Sequence, residues 1–100
     1  MEQSELIDEG ENQYLSWSET LYEDEEFITY EEWGYSKDLH FGPGIDDDIE
    51  YKIKIKKKNL EKLNFKKLVF VLKNFDTKQK INTFRSFLEN KKIKYDYEIW

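Results

Sequence analysis

The chain has no cysteine, one proline, one histidine and one arginine in 100 residues. Without cysteine there is no disulfide framework, thiolate metal site or cysteine nucleophile, which suits a reducing compartment. The lone histidine, His40, cannot form a histidine cluster, and beside a glycine-rich loop it reads as a surface or packing residue. The single arginine, Arg85, leaves little of the bidentate chemistry on which sequence-specific nucleic-acid readers rely. The longest apolar run, Leu68-Val69-Phe70-Val71-Leu72, is far too short to span a bilayer. The opening Met1-Glu2-Gln3-Ser4-Glu5 is acidic and polar, unlike a secretory signal. A soluble cytoplasmic protein is the expectation.

Catalytic patterns are equally scarce. No serine sits in a nucleophile elbow, and no glycine-rich loop has Walker spacing. Gly42-Pro43-Gly44 is short and is followed by Asp46, Asp47 and Asp48, which would repel a phosphate. Those aspartates with Glu50 offer oxygens to a hard cation, but their spacing is not that of an EF-hand, and a solvated acidic turn is the plainer reading. Glu31-Glu32 is a carboxylate pair of the kind glycosidases use, although so short a chain rarely provides the cleft. The sequence therefore predicts a protein that is not an enzyme, with no metal site and no cofactor.

What the chain does have is charge, divided in two. Residues 1–50 carry 17 acidic side chains and one basic, a net of −16, and residues 51–100 carry 15 basic and five acidic, a net of +10. Such a division bears on partners and association more than on fold. Charged residues make up 38% of the chain, a proportion that leans toward disorder, but 17 aromatic rings supply enough apolar surface for a core. One domain spanning residues 1–100 is expected.

Residues 1–11 have little to bury and are expected to be a mobile acidic start. Over residues 12–33 two patterns compete. Leu15, Trp17 and Leu21, then Phe27 and Thr29, alternate with polar neighbours as two strands would around Glu23-Asp24-Glu25-Glu26. A single helix from Ser18 to Gly34 would place Tyr22, Glu26, Tyr30 and Trp33 on one stripe, but the aromatic and β-branched content favours strands. Gly42-Pro43-Gly44 marks a loop. Ile49, Tyr51, Ile53 and Ile55 alternate with Glu50, Lys52, Lys54 and Lys56, predicting a strand with one wet face. A polar turn at Lys58-Asn59 follows, with one helical turn through Leu60 and Leu63. The unbroken run from Leu68 to Leu72 reads as a central strand covered on both faces.

Asp76 and Gln79 form a capping-box pattern ahead of Ile81, Phe84, Phe87 and Leu88 at helical spacing, with Asn90 as a C-cap, predicting one amphipathic helix over about 77–90. Ile93, Tyr95, Tyr97 and Ile99 alternate as a last strand. The fold class is then α+β: a four- to five-stranded mixed, mostly antiparallel sheet with that helix packed on one face, and a strand, helix, strand unit at the end.

For function, the acidic aromatic half is the informative feature. Tyrosine and tryptophan anchor protein interfaces, and carboxylates steer fast association with a basic partner. A basic partner surface is what a nuclease presents to phosphates. The expectation is a small acidic inhibitor that occludes a basic target protein, such as a toxin neutralised by an immunity protein or a host defence nuclease blocked by a phage protein. The candidate partner-binding residues are Glu23, Asp24, Glu25, Glu26, Tyr30, Glu31, Glu32, Trp33, Tyr35, Asp46, Asp47 and Asp48. The alternative is nucleic-acid binding through the lysine-rich C-terminal half. The opposite charges also allow internal pairing, or self-association through the two halves. The stretch Gly34-Tyr35-Ser36-Lys37-Asp38 with Trp100 resembles a short segment of the immunity proteins of ribonuclease-type colicins, but it has no required spacing and places the chain in no family.

Overall fold

Five antiparallel strands lie side by side in chain order, and two helices cross one face of the sheet between the fourth and the last. The architecture is taken from a computed structural model and is described for residues 2–11, 15–36, 49–76 and 80–99. The strands are β1 (Gln3–Glu11), β2 (Leu15–Glu23), β3 (Phe27–Ser36), β4 (Ile49–Lys56) and β5 (Asp96–Ile99), and the helices are α1 (Phe65–Lys73) and α2 (Ile81–Asn90). The expected α+β class holds, with every strand pair antiparallel and the sheet open at both edges.

Within the stretch that could have been one helix, residues 15–23 and 27–33 form strands, and Asp24 makes the turn between them. Its Oδ1 accepts hydrogen bonds from the backbone N–H groups of Glu26 (2.9 Å) and Phe27 (2.8 Å), while its own N–H donates to the Phe27 carbonyl at 2.9 Å. These bonds stabilise the carboxylate and hold its pKa below the ordinary value. The register that follows pairs Leu21 with Tyr30 and Glu19 with Glu32. In β4, Ile53 and Ile55 point into the core while Lys52 and Lys54 lie on the other face, as the alternation predicts.

Three expectations are overturned. Residues 3–11 are not a mobile start but strand β1, paired with β2 along its length. The register shifts between Leu6 and Asp8, so Ile7 is buried as a bulged residue between exposed Leu6 and half-exposed Asp8. That bulge breaks the period of two and hides the strand from pattern reading.

Leu68–Leu72 is not a central strand but the middle of α1. Its burial follows a helical period: Phe65, Leu68 and Leu72 are buried, whereas Phe70 is 70% exposed. Asn64 starts this helix, its side chain accepting from the Lys67 N–H at 2.9 Å. The end of the chain is accordingly helix, helix, strand, and no parallel crossover exists among the described residues.

The third correction concerns α2. It begins at Ile81 with Lys80, not Asp76, as N-cap, and no local side chain caps it. Thr77, Lys78 and Gln79 of the expected capping box lie outside the described residues. At its other end Lys92 takes a left-handed conformation (φ 59°), and the N–H groups of Ile93 and Lys92 donate to the carbonyls of Leu88 (2.9 Å) and Glu89 (3.0 Å), the Schellman arrangement. β5 is shorter than the alternation from Ile93 predicts.

The core fills the space between the sheet and the helices. Leu21, Ile28, Tyr30, Ile53 and Ile55 meet Leu68 and Leu72 of α1 and Phe84 and Leu88 of α2. Phe84 meets the Tyr30 ring edge-on, with centroids 5.5 Å apart. α1 lies over the β1–β2 side and α2 over β4, leaving the opposite face of the sheet uncovered by either helix.

Candidate partner-binding surface

Assembly of the sheet sorts the acidic side chains into three environments. The first is buried. The register opposes Glu19 and Glu32 on the core face of neighbouring strands, 0% and 4% exposed, with the Tyr30 hydroxyl between them. That hydroxyl lies 2.7 Å from Glu32 Oε1 and 3.2 Å from Glu19 Oε1. Glu32 Oε1 also accepts from the backbone N–H groups of Lys80 (2.8 Å) and Ile81 (3.2 Å). A carboxylate on β3 thus caps α2 from across the core, supplying what the helix's own sequence does not. The Lys80 ammonium, itself 4% exposed, reaches Glu19 Oε1 at 3.1 Å and Asp8 Oδ2 at 3.6 Å.

The Tyr30 hydroxyl has one proton to give, so it satisfies only one of the two carboxylates as an anion. Desolvation by burial raises the Glu19 carboxyl to about 7, against the pull of Lys80. Burial also raises the Glu32 carboxyl, against the hydrogen bonds from Tyr30, Lys80 and Ile81. A carboxyl near 7 has the acidity of a general acid, but one with no exposed surface offers nothing to a substrate. This cluster joins α2 to the sheet. Tyr30 and Glu32, both candidates for partner contact on sequence grounds, are therefore internal: the first is a core ring and the second a helix cap.

The second environment is paired with lysine on or near the surface. On the uncovered face of the sheet Glu31 accepts from the Tyr22 hydroxyl at 3.0 Å and meets Lys52 at 3.3 Å, and Lys52 also meets Glu50 at 3.6 Å. Glu23 meets Lys57 at 3.5 Å. Asp24 is occupied by its turn. Glu25 and Glu26 are exposed at the hairpin tip, but they share a groove with Lys56, Lys57 and Lys58. The two charged halves of the sequence thus pair within one fold, and most candidates from the hairpin and β3 face lysines of the same chain.

The third environment is strand β1 and the end of the sheet it leads to. Residues 2–11 carry Glu2, Glu5, Asp8, Glu9 and Glu11 and no cation. Lys73 reaches Glu5 at 2.8 Å and Lys80 reaches Asp8 at 3.6 Å. There a groove of about 430 Å³ is lined by Glu9, Glu11, Ser16, Ser18 and Trp33, which share one face of the sheet, with Gly10 and Trp17 between them in sequence. On the opposite face Gly10 lets the Trp17 ring lie over β1: a Cβ at that position would lie 2.5 Å from the ring. Trp33, 37% exposed, is the one aromatic candidate that the described side chains place on the surface. The backbone of Tyr35 continues β3 beside it. Asp46, Asp47 and Asp48 lie outside the described residues, as do His40 and the Gly42-Pro43-Gly44 loop.

β1 escaped sequence reasoning because its bulge disguised the strand. The carboxylate density of residues 2–11 was the available signal. Among the described residues no group of three or more potential metal ligands occurs, and no helix is long and apolar enough to cross a membrane. Compared with models of protein families, with characterised proteins and with solved structures, the chain finds no match.

Proposed function

We propose that the protein is a non-catalytic inhibitor that binds and occludes a basic target protein, of the chemistry a nuclease or nucleic-acid-directed toxin presents. The observation that carries this reading is the distribution of charge after folding. Carboxylates of the hairpin and β3 meet lysines of the same chain, whereas residues 2–11 carry five carboxylates and no cation of their own, with the exposed Trp33 indole on the face of Glu9 and Glu11. Carboxylates along an extended strand match sites that bind phosphates, and Trp33 supplies an apolar anchor. The acting surface is accordingly Glu9, Glu11 and Trp33 rather than Glu25, Glu26, Glu31 and Glu32.

The test is affinity capture from the native host's lysate at low and moderate salt, beside the double variant Glu9→Lys, Glu11→Lys. The reading expects one basic protein in stoichiometric amount, captured less at moderate salt and lost with the variant. Capture of that protein unchanged by the variant would move the surface elsewhere, and capture of no basic protein would remove the reading. A second reading, nucleic-acid binding, draws on α1, where Phe70 stands 70% exposed between Lys66, Lys67 and Lys73. It expects oligonucleotide binding that weakens with salt and is lost in Phe70→Ala.

A further inference from the structure

Strand β1 is an edge. It pairs with β2 on one side and no described strand lies on the other. A long edge strand is a template for another strand, and proteins usually guard such edges with lysine, proline or short length. β1 has nine residues and neither lysine nor proline. Its guards are the bulge at Ile7 and its carboxylates. The bulge interrupts the ladder, leaving Asp8–Glu11 as a straight stretch beyond it. The carboxylates act selectively. A second copy of β1 would bring Glu9 and Glu11 against like charges, which is destabilising, whereas a lysine- or arginine-rich strand would meet opposite ones. At the same end the register sets Trp33 in one row with Ser18 and Glu9 on one face, while the Trp17 ring lies over Gly10 on the other.

We infer that Asp8–Glu11 of β1 receives an extended basic segment of the partner as a sixth strand, with cationic side chains against Glu9 and Glu11 on one face and alternate apolar side chains on the other, beside the Trp17 ring that lies over Gly10. This is strand addition, in which backbone hydrogen bonds provide affinity and alternate side chains provide specificity. It rests on the inhibitor reading and narrows it, requiring that the target offer a strand as well as positive charge.

Two synthetic peptides of about eight residues and equal charge separate strand addition from charge attraction. One alternates lysine with valine. The other alternates lysine with proline, whose missing N–H groups prevent ladder formation. Amide hydrogen exchange of the full chain is followed with each peptide. With the valine peptide at ten times its Kd, exchange at the edge amides of Asp8–Glu11 should slow by about tenfold, with little change elsewhere. The proline peptide should leave them unprotected, and Glu9→Lys, Glu11→Lys should remove the valine peptide's effect. Equal protection by both peptides, protection centred on another element, or none with the valine peptide would overturn the inference. These outcomes do not depend on lysate capture. A target captured through β1 charge without strand addition would keep the inhibitor reading and remove this one, and capture of no basic protein would remove the reading whatever the peptides do.

Discussion

Ionising Glu19 should weaken the fold across a pH range in which most carboxylates have finished titrating. The Glu19 carboxyl is raised to about 7 in the folded chain and returns to its ordinary 4.5 when the chain unfolds. Between these values the folded state holds a proton that the unfolded state has released, so stability falls as pH rises. The contribution is fully present below about 4.5 and is gone once the pH has passed through about 7. Each unit of difference corresponds to about 1.4 kcal/mol, and titrating one such site from pH 5.5 to 7.5 removes about 2 kcal/mol. Glu32 is raised by the same burial and acts in the same direction. Asp24, held below its ordinary value, loses its contribution only at lower pH. Urea unfolding at pH 5.5 and 7.5 stays clear of the isoelectric region near 4.9 and reads the effect as a lower midpoint at the higher pH. Glu19→Gln keeps the shape and removes the titration, so its midpoint should change much less between the two. Wild-type stability that is flat or rises over this interval would refute the reasoning, as would a Glu19→Gln protein with the full slope.

Two further changes follow from backbone geometry. Lys92→Gly relieves a left-handed residue at the end of α2 and should raise stability by about 1 kcal/mol in urea unfolding. Gly10→Ala sets a methyl group against the Trp17 ring and should cost about 1–3 kcal/mol, with a change in tryptophan fluorescence as the indole moves.

Much of the sheet was legible in the sequence because one buried and one wet face imposes a period of two. Ile53 and Ile55 against Lys52 and Lys54 show that period plainly, and the Asp24 turn between two such stretches fixed the β2–β3 hairpin. Local pattern failed where the deciding interaction was remote or local signals conflicted. The run at Leu68–Leu72 has the composition of a buried strand, and only the packing of Leu68 and Leu72, with Phe70 left outside, reveals the helical period. Val69, Phe70 and Val71 carry strand propensity, and the Asn64 cap lies outside the run that suggested a strand. The start of α2 was misplaced for a different reason: its cap is Glu32, which lies 48 residues before Lys80 in the chain. For the site, Glu32 and Tyr30 read as interface residues because carboxylates steer association and tyrosines anchor interfaces, and only register shows them turned inward together.

The division of charge along the chain acquires a physical reading from these contacts. The acidic half supplies β1, β2 and β3, and the basic half supplies most of β4, both helices and β5, so charged contacts between the halves mostly bring unlike charges together. Several such pairs join segments far apart in sequence, as Lys73 with Glu5 and Lys80 with Glu19 do. Exposed pairs of this kind contribute little individually and weaken with salt, so they act less as a source of stability than as a bias toward the correct docking of helices on sheet. The buried Lys80–Glu19–Glu32 cluster differs, because a misdocked α2 would leave charges unpaired in the core at a much larger cost. Acidic residues in excess of what docking requires are then the ones whose presence the fold does not explain, and they concentrate on β1. A sequence selected only for folding could have placed neutral residues at the exposed positions Glu9 and Glu11. Their retention on an open strand edge beside Trp33 is what directs attention to an external basic partner.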